Sequence, residues 1–86
     1  MTSPKLPRYL REALFLICHD GGEDIGYVFV HLNRQTAHSY VSKLKRLGLA
    51  YTYYKEKDCL EVWATSKGYE LNAANEKEHK EFEDKL

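Results

Sequence analysis

Between Asn33 and Gly48 the chain reads NRQTAHSYVSKLKRLG, and its polar side chains are a selected set. Arg34, Gln35, Thr36, His38, Ser39, Ser42, Lys43 and Arg46 supply guanidinium, amide, hydroxyl, imidazole and ammonium groups, with no carboxylate among them. A guanidinium fork fits the O6 and N7 acceptors of guanine, and a carboxamide fits the N6 and N7 edge of adenine. Hydroxyl and ammonium groups suit phosphate oxygens, which fix position without carrying sequence information. A solvated helix face ordinarily mixes Glu with Lys, because such pairs stabilise it. No Asp or Glu occurs between residues 25 and 55. The chemistry these residues offer is recognition of a polyanion that has base edges to read.

The net charge of zero conceals an uneven distribution. Residues 34–57 carry six basic side chains (Arg34, Lys43, Lys45, Arg46, Lys55, Lys57) against Glu56 alone, whereas residues 69–86 carry three basic and six acidic ones. A basic middle can sit on phosphates and an acidic tail would be repelled by them, although two ordinary solvated faces give the same sums. Catalysis finds no support. Cys18 and Cys59 form no C-x-x-C, and His19, His31, His38 and His79 lack zinc-ligand spacing. Cys18 beside His19 reads as a packed thiol next to a helix-end histidine. With no phosphate loop and no nucleophile–base pair, the expectation is a protein that is not an enzyme and takes no metal or cofactor. A disulfide, within or between chains, stays open if the source is a hyperthermophile.

These side chains need elements to hold them. Eighty-six residues, 43% hydrophobic and 30% charged, make one domain with a single modest core. No apolar run approaches a membrane span or a secretion signal, so a cytoplasmic location is expected, and a host's cytoplasm if the gene is viral. Pro7 suits the first turn of a helix that Gly21 and Gly22 end, with Leu10, Leu14, Ile17 and Cys18 at helical spacing and Tyr9, Ala13 and Leu16 widening the stripe. In residues 24–32, Ile25 is expected in a short strand and residues 27–32 in a brief helix. Asn33 caps the next helix, over about residues 34–47, and Gly48 ends it. Its inward stripe is Ala37, Tyr40, Val41, Leu44 and Leu47, and the opposite face carries Gln35, His38, Ser39, Ser42, Lys43 and Arg46. From residue 49 the period becomes alternating, and two strands flank Glu56, Lys57 and Asp58 as a hairpin over about residues 50–64 that carries Lys55 and Lys57 near its tip. Leu60, Val62 and Ala64 share one face of it, and Glu61 and Trp63 the other. A covered Trp63, under the first or last helix, is the expectation. Thr65 or Ser66 then caps a last helix whose weaker stripe is Tyr69, Leu71 or Asn72, Ala73 and Phe82. The predicted fold class is α+β: a three-helix helix-turn-helix core, a two-stranded wing and a C-terminal helix.

The segment NRQTAHSYVSKLKRLGLAYTYY resembles the recognition helix and first wing strand of MarR-like winged-helix regulators, through Asn33, Arg34, Thr36, Val41, Leu44, Leu47, Gly48 and Leu49. VWATSKGYEL resembles the family's V-x-L-T-x-x-G segment through Val62, Thr65 and Gly68, with Ala64 in place of the usual Leu. The likeness covers roughly residues 25–72. Full-length members have longer terminal helices and often a small-molecule pocket, for which this chain has little length, so no effector is expected. The compact size is similar to small winged-helix regulators of archaeal viruses and plasmids. The resemblance implies sequence-specific binding of double-stranded DNA and regulation of transcription. Under that reading Gln35 reads adenine, Arg34 or Arg46 contacts guanine or phosphate, Thr36, His38, Ser39 and Ser42 face bases or backbone, and Lys43, Lys55 and Lys57 hold phosphates. The small core, the broad apolar stripe of the first helix and the sparse one of the last lead us to expect a homodimer, with residues 72–86 as a dimerisation or tail helix. The alternative is a winged helix used for protein–protein contact, and an outward Trp63 would suit it.

Overall fold

The computed structural model describes residues 6–84, with side chains described as far as Lys77. The element order is α1 (Arg8–Asp20), α2 (Ile25–Val28), α3 (Arg34–Arg46), β1 (Ala50–Glu56), β2 (Cys59–Ala64) and α4 (Ser66–Asp84). The α+β winged helix read from the sequence is the fold observed.

α1 starts where it does because the Pro7 carbonyl accepts from the amides of Leu10 and Arg11. Its stripe Leu10, Ala13, Leu14 and Ile17 is buried and meets α2, α3, α4 and β2. Phe29, Leu44 and Val62, each almost wholly buried, complete the centre of the core. Enclosing a side chain of this kind contributes about 1.5–3 kcal/mol. Tyr9 and Phe15 on the same helix remain exposed.

The second segment departs from expectation. Ile25 is no strand residue; it opens α2, and the helix closes at Val28 instead of running over residues 27–32. The strand-like pairing lies just before it. The Gly22 amide donates to the Val62 carbonyl at 2.8 Å, the Val62 amide donates to the Glu23 carbonyl at 3.2 Å, and Asp24 bridges Glu61. Asp24 decides the boundary. One carboxylate oxygen accepts from the Gly26 amide at 2.9 Å as an N-cap, and the other accepts from the Leu60 amide at 3.1 Å. This single side chain both starts α2 and moors it to the wing.

α3 ends in a Schellman motif. The Leu49 amide donates to the Leu44 carbonyl and the Gly48 amide to the Lys45 carbonyl, with Gly48 at φ 76°. The chain then enters an antiparallel hairpin that pairs Ala50 with Ala64 and Tyr54 with Leu60. The register shifts between Tyr54 and Glu56, so Lys55 sits at a bulge. Glu56 belongs to β1, which leaves Lys57 and Asp58 as the turn. Trp63 is neither free nor under a helix: it stacks on Tyr51, with centroids 6.4 Å apart, and lies against Gly22 in the turn after α1.

Thr65 joins the wing to both neighbouring helices. Its hydroxyl donates to the Gly48 carbonyl at 2.7 Å and accepts from the Gly68 amide at 3.0 Å, capping α4. Gly68 packs flat on the Leu49 carbonyl, where a Cβ would collide with backbone. The inward side of α4 is Gly68, Leu71, Asn72 and Asn75, whereas Tyr69 and Ala73, expected on the stripe, are exposed. Phe82 and Leu86 lie outside the described side chains. Nothing in the described helices is long and apolar enough to cross a membrane.

Candidate nucleic-acid interface

α3 projects its polar set because its apolar residues are committed inward. Ala37, Val41 and Leu44 are buried, Tyr40 is half-buried, and Leu47, expected inward, is exposed at the helix end. The Asn33 carboxamide oxygen accepts from the Thr36 amide at 2.8 Å and fixes the first turn. On the opposite side Gln35, Ser39, Ser42, Lys43 and Arg46 are all exposed, and so is Arg34 at the start of the helix. Thr36 and His38 are half-buried at its edges. Eight of the ten residues picked out by sequence therefore share one helix and project from it.

Lys55 and Lys57 stand apart from α3 at the exposed end of the hairpin. Between α3 and the wing lies a hollow of about 180 Å³, which Arg34 and His38 line from α3 and Asp58 and Leu60 from the wing, and neither lysine lines it. Asp24 and Asp58 thus place two carboxylates there, beside the first turn of α3, which the acid-free span of residues 25–55 did not foretell. Glu76 of the last helix is held elsewhere. Glu76 accepts from the Asn72 amide at 3.3 Å and lies 3.1 Å from His19 of α1.

Two lysines on α3 are held from outside the helix. Lys43 donates to the Tyr9 hydroxyl of α1 at 3.1 Å and lies 5.1 Å from the centre of that ring, which itself packs on Tyr40 at 4.9 Å. Lys45 donates to the Thr52 hydroxyl of β1 at 3.0 Å. Tyr9, Lys45 and Thr52 were not among the sequence-derived candidates. Helical spacing sets Lys45 beside the outward face, and it carries no information about which strand residue closes on it. Among the described residues no cluster of three or more His, Cys, Asp or Glu could hold a metal ion. Cys18 and Cys59 are free thiols.

No protein-family model and no curated protein matches the chain. Solved structures do. Streptococcus pneumoniae FabT in complex with DNA superposes with a TM-score of 0.82 at 16% identity, over 94% of this chain and 59% of that one. The transcriptional regulator SlyA superposes with a TM-score of 0.78 at 21% identity, over 90% of this chain and 57% of that one. The chain thus spans less than two thirds of the length of either, and at such identities the likeness is one of fold. These superpositions take in nearly all of the helix-turn-helix, the paired wing and the following helix, and the chain has the MarR-like winged-helix fold.

Proposed function

We propose that the protein binds double-stranded DNA sequence-specifically and regulates transcription, as a homodimer, with α3 in the major groove and the wing on the flanking backbone. The observation that carries this reading is the exposed face of α3: Arg34, Gln35, Ser39, Ser42, Lys43 and Arg46 together, on a helix without a carboxylate. A helix about 10–12 Å across fills a major groove about 12 Å wide. FabT, which shares the fold, has its structure in complex with DNA. Arg34 and Gln35 stand in the first turn of α3, the end that reaches base edges in helix-turn-helix proteins.

A second reading has its own observation. Tyr51, Tyr53 and Trp63 lie on one face of the wing and are all at least partly exposed, an aromatic surface of the kind protein partners use.

Selection from random duplexes, read at two salt concentrations, separates the two. The DNA reading expects an enriched motif and an affinity that falls steeply with salt. It also expects the double variant Lys55→Ala, Lys57→Ala to weaken all duplexes alike and to flatten the salt slope by about one unit per lost contact. No enrichment, together with salt-insensitive binding, would sink it in favour of the aromatic face.

A further inference from the structure

We propose that Lys43 and Lys45 form two preset phosphate contacts, one on each flank of α3, and that the hydroxyls of Tyr9 and Thr52 aim them. The proposal rests on the DNA reading above and adds three residues to it: Tyr9, Lys45 and Thr52. Two positions apart on a helix are about 160° apart around its axis, so these ammonium groups face opposite ways. A helix lying in a major groove has one sugar–phosphate wall on each side, so cations on opposite flanks face opposite strands.

The holding groups are suited to this task. A lysine side chain carries about 2 kcal/mol of rotamer entropy that a phosphate contact must overcome. The Tyr9 and Thr52 hydroxyls fix the ammonium groups at 3.1 and 3.0 Å before any ligand arrives. A hydroxyl accepts one N–H and neutralises nothing, whereas a carboxylate in its place would cancel the charge needed for a phosphate. Each ammonium keeps two N–H donors, and each hydroxyl keeps its own hydrogen for the same phosphate. The anchors are themselves anchored. Tyr9 packs on Tyr40 of α3 at 4.9 Å, and Thr52 is held in the hairpin opposite Val62, which is buried. The Lys43 site thus spans α1 and α3, and the Lys45 site spans α3 and the wing.

Titration of the full chain against a mixed-sequence duplex of about three helical turns, at salt from about 50 to 200 mM, tests both sites. Lys43→Ala and Lys45→Ala should each lower the log–log salt slope by about 0.9. Tyr9→Phe keeps the ring and Thr52→Val the shape; each should weaken binding about two- to tenfold with the wild-type slope retained. In the Lys43→Ala background Tyr9→Phe should cost nothing further, and likewise Thr52→Val in Lys45→Ala. An unchanged slope in Lys45→Ala, or equal losses from Tyr9→Phe with and without Lys43, overturns the proposal while a salt-dependent wild type keeps the DNA reading. A wild type with no salt-dependent affinity for the duplex removes both.

Discussion

Gln35 and Ser39 stand one turn apart on the exposed face of α3, and neither makes a hydrogen bond through its side chain to the rest of the described protein. Removing the Gln35 carboxamide therefore disturbs no packing, which makes it a clean probe of base reading. Gln35→Ala should cost about 1–3 kcal/mol on the preferred site and far less on mixed DNA, in paired titrations. Equal losses would mean that α3 positions the protein without reading bases. Cys18 makes the opposite case, a reactive residue type silenced by its surroundings. Partial burial against the core, with a smaller push from the Glu76 carboxylate of α4, raises its thiol pKa to about 11. The raised value keeps the thiol protonated through neutral pH, and thiolate is the form that reacts. Alkylation of Cys18 by iodoacetamide should be slow at pH 8 and accelerate as pH rises towards 11, followed by peptide mass spectrometry. Fast modification at pH 8 would contradict that burial.

At the scale of elements, residues 48–50 and 62–68 form the joint through which α3, the wing and α4 hold one another. Thr65 bonds to the end of α3 and caps α4, and Gly68 lets α4 lie directly on the Leu49 carbonyl. Gly68→Ala should destabilise the fold by about 1–3 kcal/mol or more, because the colliding atoms are backbone and cannot rotate aside. A thermal melt reads the loss directly, and an unchanged midpoint would mean that α4 shifts freely. This joint also explains what was legible beforehand. Asn33, Gly48 and the Thr65 cap act through local backbone geometry, so residue type and spacing announce them. The period change at residue 49 marks the hairpin for the same reason. Gly68 came only through the family resemblance, because it packs on Leu49 of another element. The α2 boundary was illegible because Asp24 is fixed by the Leu60 amide, 36 residues away. The stripe of α4 was legible only in part: Leu71 and Asn72, offered as alternatives, both face inward, but so do Gly68 and Asn75, which do not look apolar, while Tyr69 and Ala73 are exposed. The Tyr9–Lys43 and Lys45–Thr52 pairs join separate elements, and spacing along one helix cannot reveal them.

The molecule as a whole is longer than a domain of its size needs to be. Its extents are 47 × 27 × 18 Å and its radius of gyration is 13.4 Å, against about 12 Å for a compact chain of this length. The 19 residues of α4 account for the excess, since that helix runs about 28 Å while its neighbours α1 and β2 are shorter. An isolated helix of this length with a sparse apolar side is marginal in water, and a second copy would supply the missing surface. Apolar area is on offer close by. Phe15 of α1 is 42% exposed, and a groove of about 300 Å³ between the end of α3 and α4 is lined by Leu47, Leu49, Leu71 and Ala74. A two-fold pairing of α1 and α4 would keep the acids of α4 at the far side from the α3 faces. It would also present two copies of α3 to successive major grooves, about 34 Å apart, on a pseudo-palindromic site. We therefore expect sedimentation at micromolar concentration to give a dimer, and Phe15→Asp to shift it towards monomer with the helical content preserved. Footprinting should then contract from two half-sites to one. A wild type that sediments as a monomer and protects a single half-site would refute the dimer, and the winged helix would act on DNA alone.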